Sequence, residues 1–242
     1  LLDDWREETR RDPPPIGDLG GGSDFTAFYN HLGIPSANHG FGTPGGIYHS
    51  HYDTYRWMAT FGDPGYRGHA LSSELLAVLA LRLANAEILP YDYAAFGEEM
   101  ATRWRALRDS AGRAGILDPQ APDPLADALA ALADEGKRFA EVRDTYLTAE
   151  VDPGRSREAN HALMAVEREL TRPEGLVGRP WFRNLVFAVD FRSGYATFVL
   201  PSIAEAIRDG DPDRVRAEIE DLAARVRRAA ERIREAGDAL TT

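Results

Sequence analysis

Residues 211–237 read DPDRVRAEIEDLAARVRRAAERIREAG, and their apolar positions step by four and three: Val215, Ile219, Leu222, Val226, Ala229 and Ile233. That spacing draws one apolar seam along a helix and leaves Arg and Glu on the other faces. Asp211 and Pro212 supply an N-cap and a first-turn proline, and Gly237 a stop. A seam of this kind is more often bundle core than a contact between chains, so the stretch predicts a helical bundle.

The same grammar recurs upstream. Asp123 and Pro124 open a helix striped by Leu125, Leu129, Leu132, Phe139, Val142 and Tyr146. Ser156 reads as the cap of another, with Ala159, Leu163, Val166 and Leu170 on its seam. Phe96, Met100, Trp104, Leu107 and Ala111 mark one face of a further helix. Residues 173–200 interrupt the pattern, with one predicted strand at 185–189. Residues 91–242 are therefore predicted to be an all-α bundle with an inserted loop region.

Ahead of position 91 the texture changes. Residues 1–65 are rich in Gly, Pro, His and aromatics, a loop-and-strand composition. Ser23 reads as an N-cap, Phe25, Phe28, Tyr29 and Leu32 as an apolar stripe, and Gly33 as a stop. Short strands are predicted at 34–36 and 47–50, around a loop at 40–46 (GFGTPGG), with helices at 54–61 and about 68–86. The fold class that follows is α/β then all-α, with domains at 1–90 and 91–242.

Composition limits the function. The 28 basic and 39 acidic residues leave a net charge of −11, which disfavours phosphate contacts and argues against nucleic acid as partner. Lys137 is the only lysine, and cysteine is absent, which removes disulfides, thiolate chemistry and sulfur-ligated zinc. No run of 18 apolar residues is present, so no membrane segment is expected. The chain opens on Leu1 rather than Met and is expected to begin inside a longer protein.

Two stretches could carry chemistry. His49-x-His51-x-Asp53, if extended, would project three zinc-type ligands from one face. A small mononuclear site is one reading; a packed His49, an exposed His51 and a helix cap at Asp53 is the other. Gly20-Gly21-Gly22-Ser23-Asp24-Phe25 lacks the Lys of a P-loop and the spacing of a dinucleotide fingerprint. It reads as a tight turn feeding a capped helix, with glycines that also let a substrate approach the backbone.

Gly22-Ser23-Asp24-Phe25, Leu32-Gly33-Ile34-Pro35-Ser36, Tyr48-His49-Ser50 and Tyr52-Asp53-Thr54-Tyr55 together resemble the glutamate carboxypeptidase II (prostate-specific membrane antigen-like) group of zinc peptidases. The likeness continues through Phe61-x-Asp63-Pro64, Leu83-Ala84-Asn85, Leu89-Pro90 and Val166-Glu167-Arg168. It goes on through Gly178-Arg179-Pro180-Trp181-Phe182-Arg183, Gly194-Tyr195-Ala196 and Leu200-Pro201. It covers nearly the whole chain in order.

The resemblance implies the C-terminal part of a zinc-peptidase α/β/α sandwich plus the helical dimerisation domain shared with the transferrin receptor ectodomain. It implies that His49 ligates one of two zinc ions in the parent protein. Tyr48 would hydrogen-bond the tetrahedral intermediate and the substrate's carboxylate end, a role suited to a neutral donor. Gly22 and Ser23 would lie at the substrate, Gly22 offering its carbonyl, and Tyr195 would reach the substrate carboxylate. Asp53 would orient a liganding group from behind. A peptide substrate, a homodimer, and a secreted, periplasmic or membrane-tethered setting also follow from the likeness.

Three departures bear on this. No segment of residues 1–20 resembles the group's other zinc ligands or its catalytic Glu, and one histidine cannot hold two ions. Gly194 stands where a lysine grips a glutamate side chain in the human enzyme. Residues 37–46 carry no arginine patch. The chain is therefore expected to supply one zinc ligand, part of a substrate pocket and a dimer interface, and to be inactive alone. The alternative is a non-catalytic homodimerisation or interaction module of transferrin receptor type. The group's receptor branch lacks the liganding His that is present here.

Overall fold

The structure is a computed structural model that describes residues 17–19, 21–40, 46–192, 194 and 196–241. Its main elements are α1 (Arg67–Ala84), α2 (Tyr93–Arg113), α3 (Pro124–Tyr146), α4 (Pro153–Glu169), β1 (Phe187–Val189), β2 (Thr197–Val199), α5 (Pro201–Arg208) and α6 (Pro212–Thr241). A small open sheet thus accompanies a largely helical bundle, a mixed region plus an all-α bundle as expected.

α6 is the bundle's spine, packing against α3, α4 and α5, while α2 packs on α3. All six predicted seam residues are buried, and the seam runs on through Ala236 and Leu240. Gly237 does not end the helix. It sits buried in the last turns beside Phe139, whose Cδ2 a Cβ there would meet at 3.9 Å, a position where glycine costs roughly 1 kcal/mol against alanine.

Aspartates start the bundle helices. Asp92 accepts from Ala95 N, Asp123 from Ala126 N, and Asp152 from Gly154 N and Arg155 N. Asp152 takes the place predicted for Ser156, which instead lies buried in the first turn with its Oγ 3.0 Å from Tyr146 Oη. An Asp-Pro pair caps better because the ionised carboxylate also meets the positive end of the helix dipole. α2 and α3 meet at backbone distance. A Cβ on Gly97 would lie 2.9 Å from Ala133 Cβ, and one on Gly136 would run into Ala94 N and lie 2.6 Å from Tyr93 C.

The predicted strand at 185–189 forms β1, antiparallel to β2 with Phe187 opposite Val199, Ala188 opposite Phe198 and Val189 opposite Thr197. The preceding loop is fastened by charge. Arg179 pairs with Glu205 of α5, donates to Val189 O at 2.5 Å and lies over the Phe182 ring at 5.0 Å. Arg172 reaches Glu218 of α6 at 2.7 Å.

The N-terminal third departs from expectation in detail. Residues 34–36 are irregular and 47–50 form a turn, not strands. A run of a few apolar residues becomes a strand only beside a backbone that pairs with it, and among the described residues neither has such a neighbour. The predicted 54–61 helix is a short turn, Tyr55–Trp57, continuing into Met58–Gly62. α1 matches its predicted span closely, but none of its residues is buried. Its Leu71, Leu75, Leu76, Val78, Leu79 and Leu81 are 42% to 62% exposed.

Candidate functional site

The Gly22 turn is the first of the flagged segments, and the fold places it against the sheet. A Cβ on Gly21 would meet Val189 Cγ2 at 2.6 Å and Gly194 O at 2.8 Å, so the chain passes flush over β1 and the loop after it. Gly22 follows with φ 75°, a left-handed conformation that glycine adopts without strain. Ser23 is exposed and does not cap; its carbonyl accepts from Thr26 Oγ1 at 2.6 Å and Thr26 N at 3.2 Å. The helix that follows is only a π-helical turn, Ala27–His31. Phe25 and Tyr29 turn inward as predicted, whereas Phe28 and Leu32 face out. Tyr195 lies outside the described residues.

Asn30, not flagged by its sequence, is completely buried. Its carbonyl accepts from Arg183 N at 2.7 Å and Asn184 N at 3.0 Å. His31 Nδ1 lies 2.9 Å from Trp181 O and its ring stacks on Trp181 at 5.1 Å. Segment 25–33 is thereby stitched to the loop that enters β1.

Tyr48 and His49 sit on an exposed turn. Ser50 N donates to Ile47 O at 2.9 Å and Asp53 N to Ser50 O at 3.1 Å. The two rings stack at 3.8 Å, Tyr48 is 70% exposed, and His49 holds φ 60°. A positive φ on a non-glycine residue is uncommon and costs free energy. Because this segment turns rather than extends, His49, His51 and Asp53 do not share one face. Among the described residues no group of three His, Cys, Asp or Glu side chains could hold a metal ion, so the three-ligand reading of that motif is overturned. Asp53 is not a cap either; Thr54 Oγ1 accepts from Trp57 N at 3.2 Å. The described residues do not by themselves fit a zinc site: His49 is one imidazole at the surface.

A carboxylate–imidazole pair lies nearby that its sequence did not reveal. Asp63 accepts from Gly68 N at 3.1 Å, His69 N at 2.9 Å and His69 Nδ1 at 2.6 Å. These bonds, the His69 side chain foremost, hold its pKa down to about 2. The pair caps α1. The Asp-Pro-Gly run ahead of a helix was the available signal.

Glu167, part of the Val-Glu-Arg stretch, is the other unforeseen group. Burial raises its pKa to about 7, opposed by hydrogen bonds with Tyr29 and Asn184. The phenols of Tyr29, Tyr91 and Tyr93 are pushed up, by burial first and then by the Glu167 charge.

Residues 122–234 match the family described as the transferrin receptor-like dimerisation domain. The span begins just ahead of the Asp123 cap and takes in α3, α4, both strands, α5 and most of α6. Those residues are thus similar to a transferrin receptor-like dimerisation domain.

Similarity extends ahead of that domain. The chain is 30% identical over 217 residues to "Probable glutamate carboxypeptidase LAMP1" of Arabidopsis thaliana, covering 90% of this chain and 31% of that protein. It is 36% identical over 189 residues to "Probable glutamate carboxypeptidase VP8" of Zea mays, covering 76% of this chain and 26% of that protein. It is 26% identical over 224 residues to "Inactive zinc metalloprotease C354.09c" of Schizosaccharomyces pombe, 88% of this chain and 28% of that protein. Homology to glutamate carboxypeptidase-family proteins therefore covers most of the chain, and the chain spans about a third or less of these relatives' length.

Proposed function

We propose that this chain is a helical homodimerisation and interaction module of a larger protein of the glutamate carboxypeptidase group, without turnover of its own. The observation that carries this reading is where the dimerisation-domain match falls. It covers the bundle built on α6, whose apolar seam is buried against α3, α4 and α5 within one chain. Such a unit holds its shape while its outer faces remain available for a second copy. Sedimentation velocity on the purified chain tests it. A dimer at micromolar concentration is expected; a monomer throughout the tens-of-micromolar range would refute it.

A second reading is favoured by the homology ahead of the bundle and by α1. A helix that is apolar on every side belongs inside a layered domain. On this reading residues 1–90 are the C-terminal part of a zinc-peptidase α/β domain and 91–242 the dimerisation domain. His49 supplies one zinc ligand of a two-ion site in the parent. Tyr48, Gly22, Ser23 and Tyr195 serve the substrate end of a small peptide, and Asp53 steadies a liganding group. A secreted, periplasmic or membrane-tethered parent fits the group; among the described residues no helix is long and apolar enough to cross a membrane.

Zinc content and hydrolysis of aminoacyl and acyl-glutamate substrates separate the two readings. Both expect the isolated chain to be inert. Only the second expects chelator-sensitive hydrolysis, lost on His49→Ala, once the natural upstream segment is joined.

A further inference from the structure

Among the described residues no helix or strand packs along α1, and none of its residues is buried. A lone helix of this length is marginal in water, and one that is apolar on every side calls for cover. The bundle helices differ. They turn their apolar seams inward and carry ion pairs outside, as where Arg228 and Arg232 of α6 meet Glu169 at 3.1 and 3.0 Å.

One face of α1 has the pattern of a self-complementary contact. At about 100° per residue, Leu71, Glu74, Leu75, Val78, Leu81 and Arg82 all fall within about 60° of the direction of Val78. All of them are exposed, and Leu76 lies on the opposite side. Glu74 and Arg82 stand four residues either side of Val78, and among the described residues neither forms an ion pair. Parallel pairing of two such faces would set Glu74 beside Glu74 and Arg82 beside Arg82, a juxtaposition of like charges that opposes association. Antiparallel pairing about a two-fold axis at Val78 instead sets each Glu74 level with the partner's Arg82, and each Leu75 level with the partner's Leu81.

We propose that α1 is a self-docking face, on which a second copy of this chain lays its own α1 antiparallel about Val78. The proposal rests on the homodimerisation reading and names its contact: the bundle holds the shape and α1 meets the partner. The two faces together bury on the order of 1,000 Å², the lower end for a specific interface, so the pairing is weak and dissociates in the micromolar range. Below that range the chain is a monomer with α1 bare.

Sedimentation velocity on the purified chain and its variants, from about 0.5 to about 50 µM, tests the face. Leu71→Gln combined with Val78→Gln should weaken self-association at least tenfold, whereas Leu76→Gln should leave it within about threefold. Glu74→Arg should weaken it about tenfold through like charges, and adding Arg82→Glu should restore it. Far-UV circular dichroism of each variant checks that the bundle is folded. A wild-type chain that stays monomeric throughout would refute dimerisation itself, and the face with it. A wild-type dimer indifferent to the Leu71 and Val78 changes would leave dimerisation to the bundle's outer faces and overturn the assignment to α1. So would a Glu74→Arg chain that pairs as well as the wild type, or a charge swap that fails to restore the pairing.

Discussion

Asn30 donates from Nδ2 to the carbonyl of Phe187 at 2.8 Å, tying the N-terminal segment to β1. The Asn30 side chain is wholly buried, and its loss would leave the Phe187 carbonyl without this donor in a partly buried setting. Asn30→Leu should weaken docking of residues 25–33 by about 1–3 kcal/mol, the usual penalty for an orphaned buried acceptor. The bundle should barely notice. Proteolytic cleavage near the segment should accelerate while the denaturation midpoint followed by far-UV circular dichroism stays put. A midpoint that falls as far as the cleavage rate rises would show that the segment and the bundle unfold together.

Arg179 and Glu205 make a sharper prediction, because both side chains are almost fully buried. Removing one partner strands a charge, and Glu205→Leu alone should destabilise the chain by about 3–5 kcal/mol. Arg179→Met combined with Glu205→Leu replaces the pair by apolar groups of similar size. It should cost much less than the sum of the two single changes, read as denaturation midpoints at constant m-value. Val189 O loses a donor in the double variant, so some loss should persist. Additive losses would mean that the two side chains do not interact energetically.

What was legible in this sequence is what repeats locally. The four-three seam from Val215 to Ile233 needs no knowledge of its partners, and every position in it is buried. Asp123-Pro124 and Asp211-Pro212 signal helix starts that the structure shows; Asp152-Pro153 carries the same signal and starts α4 ahead of Ser156. Strands depend on neighbours that periodicity does not name. Thus Ile34 and Ile47 open no strands, while Thr197–Val199 pairs with β1 unannounced. Glu167 was visible in principle: it falls four residues after Leu163 and three before Leu170, on the seam itself, where a charged residue is out of place. The family resemblance singles out Tyr48 and His49 as candidates, and the turn that exposes them has no periodic signature.

The crossing of α2 and α3 rests on absent side chains. A Cβ at Gly136 has no space, because Ala94 N and Tyr93 C already occupy it and neither is a movable side-chain tip. Gly136→Ala should therefore destabilise by about 1–3 kcal/mol through overpacking, against the gain of up to about 1 kcal/mol that alanine brings to an ordinary helix position. Gly112, whose nearest neighbour would be Pro119 Cγ at 3.4 Å, makes the matched control near the end of α2. Thermal denaturation of both variants reads the contrast. A Gly136→Ala protein as stable as Gly112→Ala would mean that the helices separate freely.

α1 supplies the prediction that bears most directly on how this chain relates to its longer relatives. Leu75 and Leu79 stand a helical turn apart and are about half exposed, so in this chain they contribute little to stability. Replacing both with Gln should shift the denaturation midpoint of the isolated chain by no more than about 0.5 kcal/mol equivalent, the range for surface positions. It should also lower binding of an apolar dye, since it removes exposed leucine. Joined to its natural upstream segment, the protein should respond differently if α1 is core there. Each leucine would then be buried, and the double change should cost about 2–5 kcal/mol per residue, at the scale of large apolar truncations. Equal, small effects in the short and the joined proteins would mean that α1 faces water in both, and residues 67–84 would not belong inside a layered domain.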